Sequence, residues 1–187
     1  MIRPILPYGD VILRKPTLEI QPDYPQLKGL VSDMYETMYA ASGVGLAAPQ
    51  IGASIRLFIV DGTGFEEDEA GMKSFKQVFI NPVVLQEEGE EWSFNEGCLS
   101  IPGVREDVFR KSRVLIEYQD EHFVFHEKWY DGMAARIIQH EYDHLEGVLF
   151  TDKINPMRKK LIRSELEHIS RGNHRADYKM KKPLVRR

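Results

Sequence analysis

The sequence predicts an α+β fold: mixed or antiparallel β-sheets packed around a central helix, with another helix near the C-terminus. Two patterns predict it. Residues 25–41 and 132–148 carry apolar side chains at helical spacing. Residues 114–118 and 123–129 alternate apolar and polar side chains on either side of Asp120-Glu121, as the arms of a hairpin do. A chain of 187 residues that is 42% hydrophobic and 29% charged is large enough for one sizeable core and has an ordinary globular composition.

The elements follow in order. Residues 1–7 are short, broken by prolines and run quickly into Asp10, so they do not read as a signal or transit peptide. In the helix at 25–41 the inward stripe is Leu27, Leu30, Val31, Met34, Met38 and Tyr39. Ser42-Gly43 ends it, with Gly43 expected as the left-handed cap. Residues 43–52, with three glycines and two alanines, form a close-fitting backbone segment, and Pro49 argues against a helix interior there. Residues 55–60 read as a short apolar strand. Residues 63–74 read as an exposed excursion whose charge run Glu66-Glu67-Asp68-Glu69 is solvated. Strand signals over 78–86 are interrupted at Asn81-Pro82. After the hairpin and the helix at 132–148, Asn155 caps a last helix with Pro156 in its first turn, running to about residue 170. Leu161, Leu166 and Ile169 give it a thin apolar stripe. Beyond Gly172 the chain is basic, polar and expected to fray. The expected organisation is one catalytic domain over 1–170 and a basic tail over 171–187.

No apolar run approaches the ~20 residues needed to span a bilayer. Cys98 is the only cysteine, so an internal disulfide is impossible and a reducing compartment, a bacterial-type cytoplasm, is expected. The net charge of −4 conceals an asymmetry: residues 156–187 hold 11 Lys+Arg against 3 Asp+Glu, and residues 1–155 hold 14 against 26. A basic tail on an acidic body points to an anionic partner such as RNA, or to a tail that folds onto the body.

The pentapeptide His140-Glu141-Tyr142-Asp143-His144 lies in the helix at 132–148. Two histidines four apart project from one helix face, where one divalent ion can take both. Glu141, beside them, is placed to act as a proton shuttle for a nucleophilic water. A catalytic ion needs a third protein ligand and an open position. Cys98, in Asn95-Glu96-Gly97-Cys98-Leu99-Ser100, is one candidate; a downstream acid, Glu165 or Glu167, is the other, as in a zinc endopeptidase.

The chain resembles the peptide deformylases. Three blocks carry the resemblance in order: Gly43-Val44-Gly45-Leu46-Ala47-Ala48-Pro49-Gln50, Glu96-Gly97-Cys98-Leu99-Ser100, and Gln139-His140-Glu141-Tyr142-Asp143-His144-Leu145. Residues 5–10, Leu13-Arg14 and residues 146–150 add to it; the acidic stretch after Gly64 is longer than in compact members. The resemblance implies Cys98, His140 and His144 as metal ligands, Glu141 as the proton carrier, and the Gln50 side chain and Leu99 backbone N–H as oxyanion donors. It implies removal of formyl from N-formylmethionyl nascent peptides. Fe(II) is the implied ion in the cell, with Zn(II), Ni(II) or Co(II) able to stand in after purification.

Substrate contacts follow from the same blocks. An extended peptide would add as a strand beside Gly43, Val44 and Gly45. Arg105 would hold the peptide chain, or serve only as a surface charge. Phe94, Val44, Met133 and Ile137 would line the methionine pocket, and Asp143 would make a structural hydrogen bond. The C-terminal basic segment would dock on the ribosome. Neither a membrane nor DNA is an expected partner.

Overall fold

A computed structural model describes residues 1–65 and 70–182. The acidic run Glu66-Glu67-Asp68-Glu69 and the last five residues lie outside the described residues. Helix α1 spans Leu27–Ala40, and β1 follows at Gly45–Ala47. Strands β2 (Leu57–Asp61), β3 (Lys76–Cys98), β4 (Ile101–Gln119) and β5 (Phe125–Asp131) complete one sheet in the order β1-β2-β3-β4-β5, every neighbouring pair antiparallel. The α+β expectation holds, with a purely antiparallel sheet rather than a mixed one. The parallel pairings among the described residues are isolated bridges, Ile5 to Met180 and Leu18 to Ile55. Helix α2 is Gly132–Leu145, and α3 (Phe150–Lys153), α4 (Pro156–Leu161) and α5 (Arg163–Ser170) close the chain.

Period-two alternation sorts the core. Phe58 and Val60 of β2, with Phe79 of β3 and Val114, Ile116 and Tyr118 of β4, pack on the side of α2 residues Ala135 and Ile138. Leu57 and Ile59, with Val78 and Ile80, pack on the other side with Met34 and Met38 of α1. A strand covered on both faces reads as a continuous apolar run, which is why residues 55–60 are legible without alternation. A third cluster joins Ile101, Val104 and Val108 of β4 to Phe150, Ile162, Leu166 and Ile169.

Several expectations are corrected. Tyr39 is 47% exposed instead of lying on the inward stripe of α1. Its hydroxyl reaches Asp61 Oδ2 at 2.5 Å, so the phenol lies across the surface. The left-handed residue after α1 is Ser42, at φ 55°, rather than Gly43. Asn81-Pro82 does not end a strand. A register shift between Ile80 and Val83 absorbs it, with Asn81 at φ 49°, and the strand continues to Cys98. Residues 87–98 and 101–113 look polar in sequence because much of this long hairpin is solvated.

The last helix is broken at Ile162, which turns inward while Leu161 stays 67% exposed. Asn155 does cap α4, its side chain accepting from Met157 N at 2.8 Å. The excursion at 63–74 is not wholly exposed: Met72 is buried in the main core with its neighbour Phe75. Nor do residues 173–182 fray. Ile5 N donates to Lys179 O at 2.9 Å and Lys181 N donates to Ile5 O at 2.8 Å, pinning the tail to the N-terminal segment.

Candidate active site and metal centre

Helical spacing gathers one stripe of α2. Met133, Arg136, Ile137, His140 and Glu141 all line a cleft of about 520 Å³. Strand spacing gathers the opposite wall, because Phe94, Glu96 and Cys98 alternate onto one face of β3. Val44 and Gly45 of the β1 edge, Gln50, Leu99 and Arg105 complete the lining drawn from the sequence motifs. Gly43 lines it as well, where an added Cβ would stand 2.7 Å from Leu99 Cδ1. Gly45 packs directly on the carboxylate: a Cβ there would come within 2.7 Å of Glu141 Cδ and Cγ. That close approach explains glycine at this position.

Cys98, His140 and His144 converge, each offering a ligand atom within 4.8 Å of the others. Cys98 Sγ lies 3.3 Å from His144 Nε2. Sulfur and nitrogen ligands on one tetrahedral ion stand about 3.5 Å apart, so this spacing suits a shared ion. His140 Nδ1 bonds Glu96 Oε2 at 2.9 Å, which fixes the ring and turns Nε2 toward Cys98 and His144. Burial, reinforced by the nearby charges of His140 and Arg110, holds the His144 pKa well down, so that imidazole stays neutral. At His140 burial opposes the charge, but hydrogen bonds with Cys98 and Glu96 push the pKa well up. The donor set, one thiol and two imidazoles, fits a zinc- or iron-type divalent ion.

The competing third ligands are not here. Glu165 is exposed on α5, and Glu167 pairs on the surface with Arg163 at 3.0 Å and Arg171 at 3.7 Å.

Glu141 is 4% exposed, and its Oε2 has no hydrogen-bond partner. Burial pushes its carboxyl up to about 7, against the attraction of His140. Gln50 is locked: its Oε1 accepts from Ala47 N at 2.8 Å. Its Nε2 therefore faces the cluster, 3.5 Å from Cys98 Sγ and 3.3 Å from Ser100 Oγ.

A family model described as polypeptide deformylase matches residues 2–160. The chain belongs to the polypeptide deformylase family. It is similar to the peptide deformylase of Flavobacterium johnsoniae, at 56% identity over 97% of this chain and 96% of the relative. It is similar to that of Christiangramia forsetii at 50% identity, over 100% of this chain and 99% of the relative. Among solved structures, peptide deformylase from Legionella pneumophila superposes with a TM-score of 0.79 at 38% identity, covering 91% of this chain and 96% of that one. The Plasmodium falciparum enzyme gives 0.81 at 36% identity, covering 90% and 95%. The chain is thus a metal-dependent hydrolase that removes the N-formyl group from nascent peptides.

In this deformylase the motifs alone miss the scaffold beneath the Cys98–His140–His144 cluster. Glu96 takes buried Arg110 Nε at 2.6 Å, buried Arg136 Nη1 at 2.8 Å and the half-buried His140 ring. Burial by itself would raise the Glu96 pKa; hydrogen bonds from His140 and Arg110 overcome it and hold the carboxylate ionised. Arg110 also reaches Asp143 Oδ2 at 2.7 Å, a structural contact for that motif residue. Glu96 stands two residues before Cys98, so strand alternation was a signal that the two share a face. Arg110 and Arg136 carried no such signal, since isolated arginines read as surface. Arg105 is exposed on the rim, its Nε donating to Asn95 Oδ1 at 3.1 Å. Among the described residues no helix is long and apolar enough to cross a membrane.

Proposed function

We propose that Cys98, His140 and His144 hold one divalent ion and that Glu141, Gln50 and Leu99 perform the deformylation chemistry around it. Bound there, the ion would supply Lewis-acid polarisation and a more acidic water. The observation that carries this reading is the convergence of the three ligand atoms beside a buried carboxylate with an unpartnered oxygen. Glu141, with a pKa brought near neutrality by burial, takes the proton of the water that adds to the formyl carbon. It then delivers that proton to the amine nitrogen as the carbon–nitrogen bond breaks and formate leaves. The Gln50 Nε2–H and the Leu99 N–H donate to the oxygen that gains negative charge, where one such donor is typically worth about 2.7–4 kcal/mol.

The substrate enters as a strand beside Gly43, Val44 and Gly45; β1 lies at the edge of the sheet, which leaves it a side for main-chain pairing. Its methionine side chain occupies the apolar part of the cleft formed by Val44, Phe94, Met133 and Ile137, and Arg105 holds the peptide at the rim. The resident ion is Fe(II), labile to oxidation and replaceable by Zn(II), Ni(II) or Co(II) in purified protein. The setting is the bacterial cytoplasm, the compartment of translation. Residues 1–170 supply every proposed ligand, proton carrier and oxyanion donor, and the basic charge of the segment after them docks on the ribosome, in keeping with the charge asymmetry of the chain.

The decisive experiment measures formate release from a formyl-Met peptide together with elemental analysis of anaerobically purified protein. Glu141→Gln is expected to keep its metal and lose about two to four orders of magnitude in turnover. Cys98→Ala is expected to lose the ion under mild chelation. Wild-type turnover in Glu141→Gln removes the proton-carrier role.

A further inference from the structure

The C-terminal segment reaches the active site. Tyr178 contributes to the wall of the catalytic cleft, and its hydroxyl donates to Leu99 O at 2.8 Å. The two residues are far apart in sequence, so only the docked tail brings them together. The docking is built, not incidental. On either side of residue 180, Lys179 O and Lys181 N clamp Ile5 with bonds of 2.9 and 2.8 Å. The same N-terminal segment ties down both turns that carry the proposed oxyanion donors: Leu6 N donates to Gln50 O, and Tyr8 N donates to Ser100 O, each at 2.7 Å. Leu99 is the residue between Cys98 and Ser100, and its side chain meets Gly43 across the cleft.

We propose that Tyr178 is a positioning residue for the hydrolysis, fixing Leu99 through its carbonyl so that the N–H of the same residue stays aimed at the reacting oxygen. The assignment rests on the reading of Leu99 as an oxyanion donor. Its ring also closes part of the cleft wall. The basic tail therefore has a catalytic duty separate from any charge it offers a partner. A donor that acts on the transition state changes kcat when it drifts, with little effect on ground-state binding.

The test compares Tyr178→Phe and Tyr178→Ala with wild type, all metal-loaded and full length. Tyr178→Phe deletes one neutral hydrogen bond. It is expected to lower kcat about five- to tenfold, keep KM within about twofold, and leave metal content unchanged. Amide hydrogen exchange in residues 98–101 is expected to quicken by a similar factor with the rest of the protein unaffected. Tyr178→Ala is expected to add a rise in KM of about threefold or more, because the cleft wall opens. Unchanged kcat and unchanged exchange at 98–101 in Tyr178→Phe overturn the proposal, as does a loss shared equally by kcat, KM and thermal stability. The exchange readout needs no turnover, so a wild-type protein that releases no formate would defeat the functional reading while still deciding whether Tyr178 holds Leu99.

Discussion

Two carboxylate–guanidinium clusters in this molecule have similar bond lengths and opposite surroundings. Glu96 meets Arg110 at 2.6 Å and Arg136 at 2.8 Å, with side chains 2–3% exposed. Glu167 on α5 meets Arg163 at 3.0 Å, with side chains 47% and 79% exposed. Distance alone would rank them close together. Water at the second cluster screens the attraction and leaves the side chains free to move, so an exposed pair of this kind contributes ~0–1 kcal/mol. At the first, every partner has been stripped of water, and removal of one leaves the others charged and unsolvated. The buried cluster also orients the His140 ring, whereas the exposed one orients nothing in the cleft.

Glu96→Ala should produce the largest separation between the two. Denaturant melts are expected to show a loss of about 3–5 kcal/mol, the cost of leaving buried Arg136 without a carboxylate and Arg110 with Asp143 alone. Metal titration is expected to show about 10–100-fold weaker binding, since His140 loses the partner that fixes its ring. Full stability in Glu96→Ala would mean that water enters the cluster and that the two regions do not differ in kind.

A second comparison sets Glu96 against Glu141, two buried carboxyls of opposite pKa. Glu141 is raised to about 7, so in metal-free protein its contribution is full below the ordinary value of 4.5 and is lost as pH rises to about 7. The loss is about 3 kcal/mol, and Glu141→Gln is expected to abolish it in melts of chelated protein at pH 4.5 and 7.5. Glu96 is lowered, so its contribution is full above 4.5 and fades as pH falls below that value; Glu96→Gln is expected to flatten the acid limb of the stability curve. Chelated Glu141→Gln with the same change in stability between pH 4.5 and 7.5 as chelated wild type would contradict the burial of Glu141.

The smallest effect belongs to the exposed cluster. Glu167→Ala is expected to change stability by no more than about 0.5 kcal/mol and to leave turnover intact. A loss near that of Glu96→Ala would erase the contrast and reopen Glu167 as a functional acid.

Local rules were enough wherever a residue's partners lie within a few positions or follow one simple period. The His140–His144 spacing, α1, the Asn155 cap and the β4–β5 hairpin are of that kind. Phe94, Glu96 and Cys98 on one face of β3 were half legible, since alternation gives the shared face but not what it faces. The long β3–β4 hairpin was not legible beyond its buried ends, because a solvated strand carries no apolar signature and Asn81-Pro82 reads as a stop until a bulge absorbs it. Leu161 left the expected stripe because the helix breaks at Ile162, which takes the inward place, while Leu166 and Ile169 stay buried.

By itself, the sequence determined the fold class, the donor types and the helix that carries His140 and His144, since these are set by spacing and side-chain chemistry. Tertiary structure decided the rest: that Cys98, implied in the sequence only through resemblance, meets His140 and His144, that Glu96 holds two arginines and an imidazole together, and that Tyr178 reaches back to Leu99. Each joins residues well separated along the chain, and such contacts depend on how the sheet, α2 and the tail are packed, which no local pattern encodes.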